Sequence, residues 1–276
     1  MLTRIITAIV ALCAFIPVLV FSETWAFPIA MAALSAIASV EMLRCIGMKN
    51  LCVTAISVLY GVAFPLFARF SGSTSETVAL FMAAFFCFLI VILALSVFSK
   101  GKIDITVATS CFTMVLYVVA SFTSLVLLRD TTYGSSLYLL AFFGPWISDS
   151  AAYFCGRAFG KRKLIPDVSP KKPVEGSIGG IVFTGIAFAV YGAFVILDSA
   201  PVVIPYIVLA IMGVLVSIVS QIGDLIASLL KRKYGIKDYG KLFPGHGGVM
   251  DRFDSVLITA PVILMLAIAI AFFSLF

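Results

Sequence analysis

The chain reads as an all-α, polytopic integral membrane protein with about nine transmembrane helices and a cytoplasmic N-terminus. Three observations predict this. Mean hydropathy is +1.19, and 62% of the 276 residues are hydrophobic against 12% charged, too apolar a balance for a water-soluble globule. Apolar runs recur along the whole length, each close to the roughly 20 residues that cross a bilayer at ~1.5 Å rise. They are continuous and not alternating, which argues against a transmembrane β-barrel. The third observation is the one-sided placement of positive charge.

Taken in order, the spans are 4–22, 26–43, 51–69, 77–98, 105–128, 136–158, 178–197, 203–230 and 254–275. The first follows a positive start at Arg4 and has the outline of a signal peptide. A second apolar run follows almost at once, so this segment is read as a retained first helix. Turn and charge signals separate the next four: Ser22-Glu23, Arg44 to Asn50, the Ser/Thr/Gly run at 71–75, and Lys100 to Asp104. Arg129 to Ser136 precedes the sixth span. Residues 1–135 form an N-terminal set of helices, and residues 136–276 a C-terminal region with two polar loops, 159–177 and 231–253.

With the N-terminus inside, 17 of the 19 basic residues fall on the cytoplasmic side, and only Arg69 and Arg129 fall outside. This distribution supports the count and an N-in, C-out topology, and turns both polar loops to the cytoplasm. The net charge of +6 then reports loops and anionic head groups, not nucleic acid. The six cysteines are scattered without CxxC or Cys/His spacing, so they read as small buried hydrophobes and supply no zinc site.

An ionised carboxylate in hydrocarbon costs several kcal/mol unless paired, metal-bound or wet. Glu41 lies three residues before Arg44, and a helix-end ion pair explains it, leaving it no functional role. Asp224 is different: a helix over SQIGDLIASLLKR puts Asp224, Ser228 and Lys231/Arg232 on one face. Snorkelling accounts for the cations at the helix end but not for the acid two turns deeper. Asp149, in GPWISDSAAYFCGRAFGK, wants a cation from another helix or a bound metal; the glycines after it suit close helix packing as well as function.

The first loop, GKRKLIPDVSPKKPVEGSIGG, combines Lys171, Lys172 and Ser169 with prolines and a glycine-rich start to the next helix at Glu175. It suits phosphate, although a plain positive-inside loop has the same lysines. In the second, KRKYGIKDYGKLFPGHGGVMDRFDS, Gly245, Gly247 and Gly248 allow a close approach of backbone to ligand. Asp251 and Asp254 open the last span, where a capping role suffices for either alone. His246, the only histidine, is by itself more often structural than catalytic. Basic loops beside membrane-level aspartates suggest phosphates bound through a hard divalent ion such as Mg²⁺.

At this loop the chain resembles the phosphatidate cytidylyltransferases, or CDP-diacylglycerol synthases. Residues 228–254 carry Ser228, Lys231-Arg232, Lys237-Asp238, Pro244, His246-Gly247-Gly248, Asp251-Arg252 and Asp254 in the family's register. Upstream, Trp146, Asp149, Tyr153, Gly156, Gly160-Lys161, Ser169-Pro170-Lys171 and Glu175-Gly176 also match, while Pro173-Val174 replaces the usual threonine and bulky residue. The resemblance implies transfer of the cytidylyl group of CTP to phosphatidate, giving CDP-diacylglycerol and pyrophosphate for phospholipid biosynthesis at the inner (cytoplasmic) membrane. It makes Asp224 and Asp251 the metal carboxylates for Mg²⁺, with a second cation able to clamp the other end of the displacement. Lys231 and Arg232 would act on the reacting phosphates, and Arg252, Lys171 and Lys172 would neutralise charge beside them. The remaining matched polar positions, with Asp149 and Asp254, are expected to bind substrate, and homodimerisation is expected of the family. Alternatives are a CTP-dependent enzyme for another lipid phosphate and, from a different class, a transporter of anionic solutes.

Overall fold

A computed structural model describes residues 2–100, 103–196 and 206–273. Lys102 and the turn between the spans 178–197 and 203–230 lie outside the described residues. The chain is helical almost throughout, as expected, and divides into two compact units. The first comprises residues 1–127 and 234–253, the second 128–233 and 254–276. Among the described residues, seven helices are long and apolar enough to cross a membrane, and a shorter apolar stretch covers Ile9–Val20. The protein is a multi-pass membrane protein.

The first unit contains α1 (Leu2–Val20), α2 (Ala26–Cys45), α3 (Leu51–Ser71), α4 (Thr74–Phe98) and most of α5 (Ile105–Arg129). Local chemistry sets the helix ends. Asn50 Oδ1 accepts from the Val53 amide at the start of α3, and Gly72 closes that helix with a left-handed φ of 60°. Ser73 Oγ then accepts from the Glu76 amide to open α4. Between α2 and α3, a Cβ added at Gly61 would stand 3.0 Å from the Ala36 backbone, so the glycine permits the close crossing typical of membrane helices. Phe64, Phe85 and Phe88 form an aromatic core around Tyr60, whose hydroxyl donates to the Ala84 carbonyl at 3.0 Å.

The second unit holds α6 (Gly134–Leu137), α7 (Leu140–Phe159), a hairpin, α8 (Val174–Tyr191) followed by a π-helical turn (Gly192–Ile196), α9 (Tyr206–Lys233) and the body of α10 (Met250–Phe273). The hairpin is a departure from the expected loop. β1 (Lys163–Ile165) pairs antiparallel with β2 (Ser169–Pro173), in the register Lys163 to Pro173 and Ile165 to Ser169. Its turn is Ile165-Pro166-Asp167-Val168, where proline pre-sets the second position and the Val168 amide donates to the Ile165 carbonyl at 3.2 Å.

Pro173 explains its own substitution. A Cβ added at Gly156 would strike its ring at 2.7 Å, and Cβ atoms at Gly160 or Gly176 would crowd it at 3.0 and 3.2 Å, so the proline packs into a notch lined by three glycines. The cysteines need a correction: Cys111 is buried, but Cys13, Cys52 and Cys87 are exposed. In a membrane protein lipid is as apolar as protein core, so a small hydrophobe has no need of burial.

Candidate active site

In the second unit, α9 carries Asp224 near its C-terminal end, one turn before Ser228 and two before Lys231 and Arg232, as helical spacing predicts. The partner of Asp224 comes from the hairpin: Lys172 Nζ donates to Asp224 Oδ2 at 3.2 Å. Asp149, on α7, is close enough to Lys172 and Asp224 for both charges to act on it. Asp254, on α10, is likewise within electrostatic reach of Asp224, Lys231 and Asp149. Four elements therefore converge three acids and two lysines of the predicted set. Lys172, ion-paired to Asp224, is the cation from elsewhere in the chain whose charge reaches Asp149.

A polar ladder supports this cluster. Gln221, one turn before Asp224, accepts from Ser177 Oγ, while its Nε2 donates to the Ser177 carbonyl at 3.2 Å and to Ser217 Oγ at 3.3 Å. Ser148 and Ser217 share a further 2.7 Å hydrogen bond. Hydroxyls of Ser148, Ser177 and Ser217 thus tie α7, α8 and α9 together one turn and more before Asp224, and each of these polar atoms has a partner. Sequence reasoning passed over Gln221 and Ser177; the usable signal was an amide side chain inside an otherwise apolar helix.

Glu175, for which a substrate-binding role is expected, also has contacts within the chain. Its carboxylate accepts from the backbone amides of Lys161 (3.0 Å) and Arg162 (3.3 Å), fastening the entry of the hairpin to the first turn of α8. Ser169 lies in β2 and Ser228 is half-buried on α9. The Lys171 side chain lies outside the described residues.

In the first unit, Asp251 sits in the first turn of α10, 9% exposed, and its Oδ2 accepts from the amides of Gly248 (2.9 Å) and Tyr239 (2.8 Å). The acid therefore binds the two ends of the glycine-rich loop together. Gly245 and Gly247 have φ of 77° and 88°, which the loop needs to double back, and Phe243 and Gly247 form an isolated bridge. Arg252 Nε donates to the His246 carbonyl at 2.8 Å, so the histidine's backbone orients the arginine. His246 Nδ1 is buried with no hydrogen-bond partner among the described residues. Lys237 and Asp238 are exposed on the loop.

Glu41 needs a correction. Its carboxylate is 4% exposed and accepts from the amides of Val249 (3.0 Å) and Met250 (2.9 Å), so an ion pair with Arg44 is not its main business. Sequence spacing cannot reveal partners 208 and 209 residues away.

Among the described residues no three His, Cys, Asp or Glu groups converge closely enough to hold a metal ion. Mg²⁺ does not require such a cage: it takes one or two carboxylates and completes its shell with water and substrate phosphate. The acids whose charges act together with that of Asp224 are Asp149 and Asp254, and such hard oxygen ligands suit Mg²⁺ better than zinc. An apolar groove of about 840 Å³ between α7 and α8 is lined by residues such as Trp146, Phe154 and Phe183 and includes none of these acids.

Comparison with known proteins agrees along the whole chain. Residues 2–270 match the model of the Cytidylyltransferase family. The chain is 34% identical over 263 residues to the phosphatidate cytidylyltransferase of Bacillus subtilis, covering 94% of each protein. It is 32% identical over 274 residues to that of Staphylococcus saprophyticus, covering 98% of this chain and 100% of the relative. The apolar N-terminal helices and the polar C-terminal elements are thus matched together, and the chain belongs to the Cytidylyltransferase family.

Proposed function

We propose that the chain is a phosphatidate cytidylyltransferase, making CDP-diacylglycerol and pyrophosphate from CTP and phosphatidate. The observation that carries this reading, beside the family, is the cluster of Asp149, Lys172, Asp224, Lys231 and Asp254 on four elements of the second unit. A phosphate oxygen of phosphatidate attacks the α-phosphorus of CTP, a new P–O bond forms, and the bond from that phosphorus to the bridging oxygen of the β-phosphate breaks. The lipid phosphate is already ionised at neutral pH, so no general base is needed.

What the protein must supply is position and charge neutralisation, since both reactants are anions. Lys172, Lys231, Arg232 and Arg252 hold the phosphates. Asp224 and Asp251 are the carboxylates for Mg²⁺, with Asp149 and Asp254 beside Asp224 orienting the lysines. Bound Mg²⁺ supplies neutralisation of charge on the transferred and leaving phosphates. Gly245 supplies a positive φ at the turn of the loop, while Gly247 and Gly248 leave room for the Asp251 and Glu41 carboxylates. Because phosphatidate stays in the bilayer and CTP arrives in water, the site belongs at the cytoplasmic face of the inner membrane. The positive-inside distribution supports that orientation.

The test is turnover of labelled CTP and phosphatidate by the purified protein with Mg²⁺. Asp224→Asn and Asp251→Asn should each abolish it. Wild-type protein that binds CTP yet never releases pyrophosphate would sink the proposal.

A further inference from the structure

Glu41 stands buried on α2, yet its carboxylate reaches the start of the last helix. A buried anion among apolar helices costs several kcal/mol unless compensated. Here the compensation is specific: two charge-assisted hydrogen bonds from the amides of Val249 and Met250, the two residues before Asp251. Two glycines make room for it. A Cβ at Gly240 or at Gly248 would run into the Glu41 carboxylate, so both sides of the loop have been pared back around this one side chain.

Asp251 grips the same segment from the other end, through the amides of Tyr239 and Gly248. The turn from Gly248 to Asp251 is therefore clamped between two acids. Glu41 holds the amides of 249 and 250, and Asp251 holds those of 239 and 248. Two carboxylates whose charges act on each other are tolerated only because those amides satisfy both, with Arg44 adding a countercharge near Glu41.

We infer that Glu41 is a positioning residue: by holding the first amides of α10 it fixes the turn that sets the Asp251 carboxylate. The inference rests on the reading of Asp251 as a metal carboxylate. It has a second consequence for the nucleotide. Helix N-termini ordinarily attract phosphate, but the anion at this one is built in. The amides of Val249 and Met250 are occupied, and phosphate recognition is left to the cationic side chains.

The experiment uses the full chain in detergent, with Glu41→Gln, Glu41→Asp and Asp251→Asn. Hydrogen–deuterium exchange follows the segment 239–253, and titration with Mn²⁺ alone, read by its paramagnetic resonance, follows the metal. In Glu41→Gln, which must present an N–H toward amide donors, exchange at 249 and 250 should rise at least about tenfold, and Mn²⁺ affinity should fall about 10–100-fold. Glu41→Asp keeps the charge but is one methylene shorter, and it should show smaller changes of both kinds. Should the glutamine variant not fold, the aspartate variant carries the test. Faster exchange with wild-type Mn²⁺ affinity, or unchanged exchange in a folded variant, overturns the inference. Wild-type Mn²⁺ affinity in Asp251→Asn would instead remove the metal role of Asp251. The two failures are distinguishable, because exchange in Glu41→Gln would still rise.

Discussion

Replacing Lys172 by methionine should move two observables in opposite directions. The ammonium lies 3.2 Å from Asp224 Oδ2, with side-chain exposures of 12% and 35%. At that separation and an effective dielectric of ~20, the gross attraction is about 5 kcal/mol. The exposed third of Asp224 and the desolvation of Lys172 reduce the net value to about 1 kcal/mol. The lysine therefore competes with any cation that approaches Asp224. Removing it should tighten binding of Mn²⁺ in the absence of CTP by roughly fivefold, the equivalent of that 1 kcal/mol. Turnover should move the other way. Without the lysine's charge on the reacting phosphates, kcat/KM should fall by about 10²–10³. Resonance titration of Mn²⁺ and release of labelled pyrophosphate measure the two quantities on one preparation. Parallel loss of metal affinity and turnover would mean that Lys172 merely holds the hairpin in place. Turnover within twofold of wild type would remove it from the site altogether.

Gly248→Ala should push a methyl group into the Glu41 carboxylate and cost about 1–3 kcal/mol through overpacking, read as a lower unfolding temperature in detergent. The same variant should speed amide exchange at 249 and 250, and unchanged stability would mean that the loop yields freely. Gln221→Leu should strip Ser177 of its side-chain partner and leave Ser217 only its bond to Ser148, at a cost of about 1–2 kcal/mol, with thermal stability falling before activity does. A leucine variant as stable as wild type would show that the ladder adds nothing to the packing of α7, α8 and α9.

The helices were legible because bilayer-length apolar runs leave few alternatives, and Asp224 was legible because helical spacing aligned it with Ser228 and Lys231. Other features are set by partners distant in the chain, and no local pattern announces them. Lys172 was expected beside the phosphates, but its ion pair with Asp224, 52 residues on, has no local signal. The hairpin itself was hidden, since its strands are only three and five residues long and rich in lysine and proline. Glu41 was misread for a more instructive reason. A plausible neighbour three residues away offered a complete local explanation, and local explanations win by default in a sequence. The glycine-rich loop at 231–253 showed its importance by composition, but not that the start of α10 would be held from α2.

The clamp on α10 also has a schedule. Glu41 is synthesised 208 residues before the first amide it binds. At about 5–20 residues per second, it waits roughly 10–40 s for that partner. Throughout that interval the second helix enters the bilayer with an uncompensated acid near its end. Arg44, one turn on, is the only cation of that helix able to shepherd it. The N-terminal helices are therefore left with a polar vacancy that only the last loop fills, and the final stretch of the chain completes the first unit as well as the second.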